Sequence, residues 1–159
     1  MEKTLKDLKK EYSTLQKKYK LPSFEQLNIH FDIERVAERE TDFLLREIRR
    51  NMAEKIYLYL KFCEMILNPS NAPFFMFSLI KNLTSLEKKK IEEMYKILAK
   101  MDIEIMELDI GYLEKKEVDF INSTFKEWKE INENLGNIVK TFKNSFDKTT
   151  NNNNKGYFG

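Results

Sequence analysis

Apolar residues recur along this chain at alternating steps of three and four, the spacing that places them on one face of an α-helix. From Met1 to about Lys20, Leu5, Leu8, Tyr12, Leu15 and Tyr19 keep that step, with mostly Lys, Glu, Asp and Gln between them, and this predicts a first helix. Leu21-Pro22-Ser23 ends it, because proline disfavours helical geometry at the residue before it and removes a backbone donor. Ser23 followed by Gln26 is suited to cap one short turn.

Asp32 then reads as the N-cap of a much longer second helix that runs to about Leu67, where Asn68-Pro69 stops it. Its apolar face passes through Ile33, Val36, Phe43, Leu44, Ile48, Met52, Ile56, Tyr59, Cys63 and Ile66. After the loop Asn68-Pro69-Ser70-Asn71-Ala72-Pro73, Pro73 suits the first turn of a short third helix ending near Asn82. Thr84 with Glu87 forms a capping-box signature for a fourth helix, whose seam is Ile91, Met94, Leu98, Met101, Ile105, Leu108 and Tyr112.

A fifth segment, from about Leu113 to Phe146, carries Val118, Ile121, Phe125, Trp128, Asn132, Leu135, Val139, Phe142 and Phe146 at the same spacing, one residue out of phase with the fourth. The slip falls near Gly111, which predicts a break there with glycine as a left-handed stop. The whole pattern predicts an all-α fold, an elongated up-and-down helical bundle of four to five helices with coiled-coil-like packing. One domain is expected over 1–147, with 1–20 free to project as a basic helical arm and 148–159 as a disordered Asn-rich tail.

Composition supports this reading. Four glycines and three prolines in 159 residues leave little material for turns, while twelve phenylalanines, seven tyrosines and seven methionines imply a bulky, adaptable core. A formal charge of +2 gives the whole molecule no pull toward nucleic acid or acidic lipid, so any such argument must come from local patches. Cys63 stands alone and cannot form an internal disulfide, and Met1 to Asp7 hold no apolar signal core, which predicts a cytoplasmic address. The most apolar stretch, Pro73 to Ile80, is far too short for a bilayer, so no membrane partner is expected.

Candidate chemistry is sparse. Cys63 and His30 are the only thiol and imidazole, too few for a structural zinc site, so neither metal nor other cofactor is expected. Cys63 lies among Phe62, Met65 and Ile66 and reads as core packing, while His30 beside Phe31 reads as a loop or interface residue. No catalytic residue emerges. Glu104, Glu107, Asp109, Glu114, Glu117 and Asp119 form the densest acidic stretch; without a phosphate-cradling glycine loop, a solvated face fits them better than a magnesium site.

Arginine usage is more informative. Arg35, Arg39, Arg46, Arg49 and Arg50 are the only arginines, and on one continuous helix they would form a stripe. The rigid guanidinium fork suits an external anion or partner, or carboxylates of the same chain such as Asp42 and those between Asp102 and Asp119; the pattern favours the internal pairing. Phe74, Phe75 and Phe77, with Met76 among them, cannot all face one way on a short helix; they are expected to plug the bundle end, or else to form the best partner-docking surface in the chain. Asn132, if buried in the fifth seam, would fix register, unless Ile131 takes the core position.

The expected role is a non-enzymatic helical protein-protein interaction or scaffold module, binding a protein partner or its own copy as a homodimer. A nucleic-acid-associated subunit using the Arg stripe and the Lys-rich first helix comes second, and a Mg-dependent phosphohydrolase third.

Overall fold

The computed structural model describes the backbone of residues 4–156 and the side chains of residues 4–152. Among these residues the fold is all-α: helices α1 (Leu5–Tyr19), α2 (Phe24–Phe31), α3 (Leu44–Leu67), α4 (Phe74–Lys81), α5 (Ser85–Ile110) and α6 (Glu114–Gly156), with 3-10 turns at Ile33–Glu38 and Pro69–Asn71. No described helix is long and apolar enough to cross a membrane. The chain divides into two compact units.

The first unit comprises Met1–Tyr59 and Leu98–Trp128. Thr4 and Asp7 cap α1 reciprocally, and Lys20 ends it in a left-handed conformation, φ 52°. Leu8 and Tyr12 are fully buried, and the Tyr12 hydroxyl donates to the Pro22 carbonyl at 2.6 Å. The helix expected as a projecting arm is therefore packed, against α2 and the 3-10 turn Ile33–Glu38. Ser23 and Gln26 do form a capping box, but it opens a helix of eight residues, α2, where one turn is expected.

The long second helix expected from Asp32 is divided in two. Asp32 is the C-cap of α2, with φ 51°, a left-handed conformation that aspartate tolerates better than most residues. Its carbonyl accepts from Asn51 Nδ2 at 3.0 Å, tying the turn to α3. Residues 33–38 form the 3-10 turn, Arg39 is extended, and Thr41 Oγ1 accepts from the Phe43 N–H just before α3 begins. Trp128 is the largest fully buried side chain; it stacks on Tyr59 with ring centroids 5.0 Å apart and meets Phe31 at 4.8 Å.

The second unit comprises Leu60–Ile97 and Lys129–Gly159. Thr84 and Glu87 form the expected capping box at the start of α5, and Glu87 also accepts from the Thr141 hydroxyl of α6 at 3.0 Å. Cys63, Ile91 and Met94 are buried with Ile131, Leu135, Ile138 and Phe142. Burial pushes the Cys63 thiol up to about 11, so it stays protonated at neutral pH.

Ile131 and Ile138 occupy the core line where Asn132 and Val139 are expected, and both of those are exposed. Steps of three and four allow either line, and burying two isoleucines removes more apolar surface from water than burying an asparagine and a valine. Ile131 thus takes the core position and Asn132, whose register role would need burial, faces outward in this chain. α6 also continues as helix through Lys148–Gly156, where a frayed tail is expected, with Thr149 and Thr150 donating to the carbonyls of Ser145 and Phe146. Residues 157–159 of the expected tail lie outside the described residues.

The predicted break at Gly111 separates α5 from α6, but Gly111 does not adopt positive φ, so it is not a left-handed stop.

Candidate functional site

Two groups of sequence-predicted residues form coherent places, one in each unit. In the first unit the five arginines form two sets: Arg35 and Arg39, which are not on α3 but on the 3-10 turn and the extended residue after it, join Arg50 at Glu47 and Glu54, while Arg46 and Arg49 share Glu117. Arg49 is 1% exposed and Glu117 0%. Arg49 Nε and Nη2 donate to Glu117 Oε2 and Oε1 at 2.9 and 3.2 Å, a two-pronged pair, and Nη1 donates to Asp109 Oδ1 at 2.8 Å. Desolvation works against the Arg49 charge, but the bonds to Glu117 and Asp109 outweigh it and raise its already high pKa.

Within each set a glutamate bridges neighbouring guanidinium groups. Glu47 accepts from Arg39 at 3.0 Å on one oxygen and from Arg50 at 2.7 Å on the other. Glu54 lies 3.2 Å from Arg35 and 3.7 Å from Arg39, and Glu117 holds Arg46 at 3.8 Å beside Arg49. The Arg46 guanidinium also sits over the rings of Tyr112 and Phe43, which meet at a tilt of 53° with centroids 4.5 Å apart. Every arginine thus lies within reach of a carboxylate of its own chain.

Sequence reasoning anticipated part of this. Two of the partners, Asp109 and Glu117, come from the acidic stretch singled out above, whereas Asp42 is not among them. Glu47 and Glu54, which serve four of the contacts, were missed, although they stand one turn from Arg50 and at the far end of the same stripe. Beside the cluster, Glu114 accepts from the Tyr19 hydroxyl and from Lys18 Nζ at 3.2 Å, and these bonds hold its carboxyl below the usual range. Arg46 Nε, Asn51 Oδ1 and Thr124 Oγ1 are buried and make no hydrogen bond. Among the described residues no group of three or more His, Cys, Asp or Glu is placed to hold a metal ion.

In the second unit α4 presents its aromatic residues outward. Eight residues give barely two turns, and Met76, Leu79 and Ile80 take the inward face. Phe74, at 93% exposure, and Phe75, at 55%, lie in solvent, with Phe77 on the partly covered flank. This reverses the expected plug: Met76, longer and more flexible than phenylalanine, fills the inward position instead. The three rings line a groove with Phe146, Lys81 and Thr149, and Phe75 meets Phe146 edge-to-face with centroids 6.5 Å apart. His30 packs against Phe31 and Phe125 in the first unit, as a side chain among rings.

No known protein family, curated protein or solved structure matches this chain.

Proposed function

We propose that the chain is a non-enzymatic interaction module that receives an apolar, acid-bearing segment of another protein in the groove between α4 and the Phe146 turn of α6. The observation that carries this reading is Phe74 and Phe75 standing exposed on one eight-residue helix, with Phe77 partly exposed on their flank. A monomer gains nothing by exposing contiguous rings, and aromatic residues in a groove supply large contact area at low entropic cost when a partner covers them. Lys81, in the groove wall, has no carboxylate within ion-pair distance among the described residues, which favours a partner carrying Asp or Glu.

The arginine cluster does not support the nucleic-acid reading with comparable force, because its guanidinium groups already face Glu47, Glu54, Asp109 and Glu117.

Panning a displayed random-peptide library against the full chain tests the proposal. Recovered peptides are expected to be apolar with at least one acidic residue, and to lose most of their affinity for the Phe74→Ser/Phe75→Ser variant. Both residues are exposed, so that variant keeps the fold, which circular dichroism checks. Peptides that bind wild type and variant alike would remove the groove as the docking surface.

A further inference from the structure

α5 is apolar on two faces. Met101, Ile105 and Leu108 are buried, while Ile103, Met106 and Ile110 recur at steps of three and four on another side and are exposed, Ile110 at 89%. Leu113, just past the helix end, is exposed as well. A seam of this spacing is what one helix offers to another, and nothing in the first unit covers it.

The residues bordering the stripe identify its partner. At about 100° per residue, Asp102 and Asp109 flank it on one side and Glu107 on the other, with Glu104 and Lys100 behind Glu107. Arg49 engages Asp109 and Lys116 engages Glu107 at 2.6 Å, but Asp102 and Glu104 have no ion-pair partner among the described residues. The last turn of α5 holds no basic residue, so the negative end of the helix dipole adds to the acidic border. A second copy of the stripe would bring carboxylates against carboxylates in either orientation, and an anionic lipid or nucleic-acid surface would be repelled.

We infer that this face of α5 docks a lysine- or arginine-rich amphipathic helix of a partner protein, its apolar side on Ile103, Met106 and Ile110 and its basic flanks against Asp102, Glu104 and Glu107. The inference rests on the reading of the chain as an interaction module but not on the α4 groove.

The probe is a synthetic amphipathic helix of about three heptads, leucine at the seam positions and lysine elsewhere, with a glutamate-for-lysine peptide as control. The full chain is expected to bind the lysine peptide, less tightly as salt rises, and to ignore the glutamate peptide. Met106→Lys/Ile110→Lys, both at exposed positions, should weaken binding by about tenfold or more, and Asp102→Asn/Glu107→Gln by a smaller factor. Phe74→Ser/Phe75→Ser should bind the lysine peptide as wild type does, which separates this face from the groove. Equal binding of the two peptides, indifference to Met106→Lys/Ile110→Lys, loss in the phenylalanine variant, or a dimer of the chain that Ile110→Lys dissolves would each overturn the inference.

Discussion

The two units solve the problem of an interior differently. In the first, Glu47, Arg49, Asn51, Glu117 and Thr124 are buried beside the apolar core; in the second, the buried side chains among the described residues are apolar apart from the Cys63 thiol. A buried ion pair contributes little net stability, since desolvating both charges offsets most of their attraction, but it makes one arrangement far better than its neighbours. An apolar interior stabilises more and specifies less. The first unit therefore depends on each partner being present, and the second on volume being filled.

The strongest way to break this contrast is Glu117→Ala, which leaves Arg49 buried with only Asp109 to face it. It should cost about 3–5 kcal/mol in urea unfolding, whereas Arg49→Met/Glu117→Leu should recover much of that loss, because the fully buried Arg49 charge goes with its partner and only the partly exposed Arg46 and Asp109 lose theirs. Next comes Ile91→Ala in the second unit, expected to cost about 3 kcal/mol through lost burial and the cavity left behind. No second substitution of a partner charge can rescue it. Similar rescue at both sites, or at neither, would dissolve the distinction.

A smaller effect sharpens it. The Thr84 N–H, followed by the Thr141 and Thr84 hydroxyls, holds the Glu87 carboxyl below its ordinary 4.5, against a desolvation that acts in the opposite sense. A depressed carboxyl contributes stability that is fully present above 4.5 and is lost as pH falls through the lowered value. Glu87→Gln should therefore lower the melting temperature slightly at neutral pH and flatten its fall on acidification, as thermal melts between neutral and acidic pH will show. Because Glu87 is only partly buried and Glu117 fully so, the change should stay well below that of Glu117→Ala.

Much of the fold was legible because periodicity reports burial directly. Ile91, Met94, Leu98, Met101, Ile105 and Leu108 are all buried as their spacing predicts, and the Thr84–Glu87 cap lies where its motif does. What escaped was set by choices that periodicity leaves open. Between Val36 and Phe43 the chain has only Ala37 as an apolar residue, and that gap is the one trace of the break between the 3-10 turn and α3. Ile131 and Asn132 are both consistent with the α6 pattern, and only the packed neighbours decide between them. The exposed stripe of α5 hid for a related reason: once Met101, Ile105 and Leu108 had claimed the seam, Ile103, Met106 and Ile110 looked like ordinary surface residues.

The arginine–carboxylate pairs of the first unit, from the buried Arg49 to the half-exposed Arg35 and Arg50, use guanidinium groups and no ε-amine: their cations are Arg35, Arg39, Arg46, Arg49 and Arg50. Chemistry that neutralises lysines, such as acetylation, can therefore rewrite the outer charge of this protein while every pair in that network persists. Recognition at the surface and integrity of the scaffold are thus entrusted to different cations, and one can be regulated without touching the other.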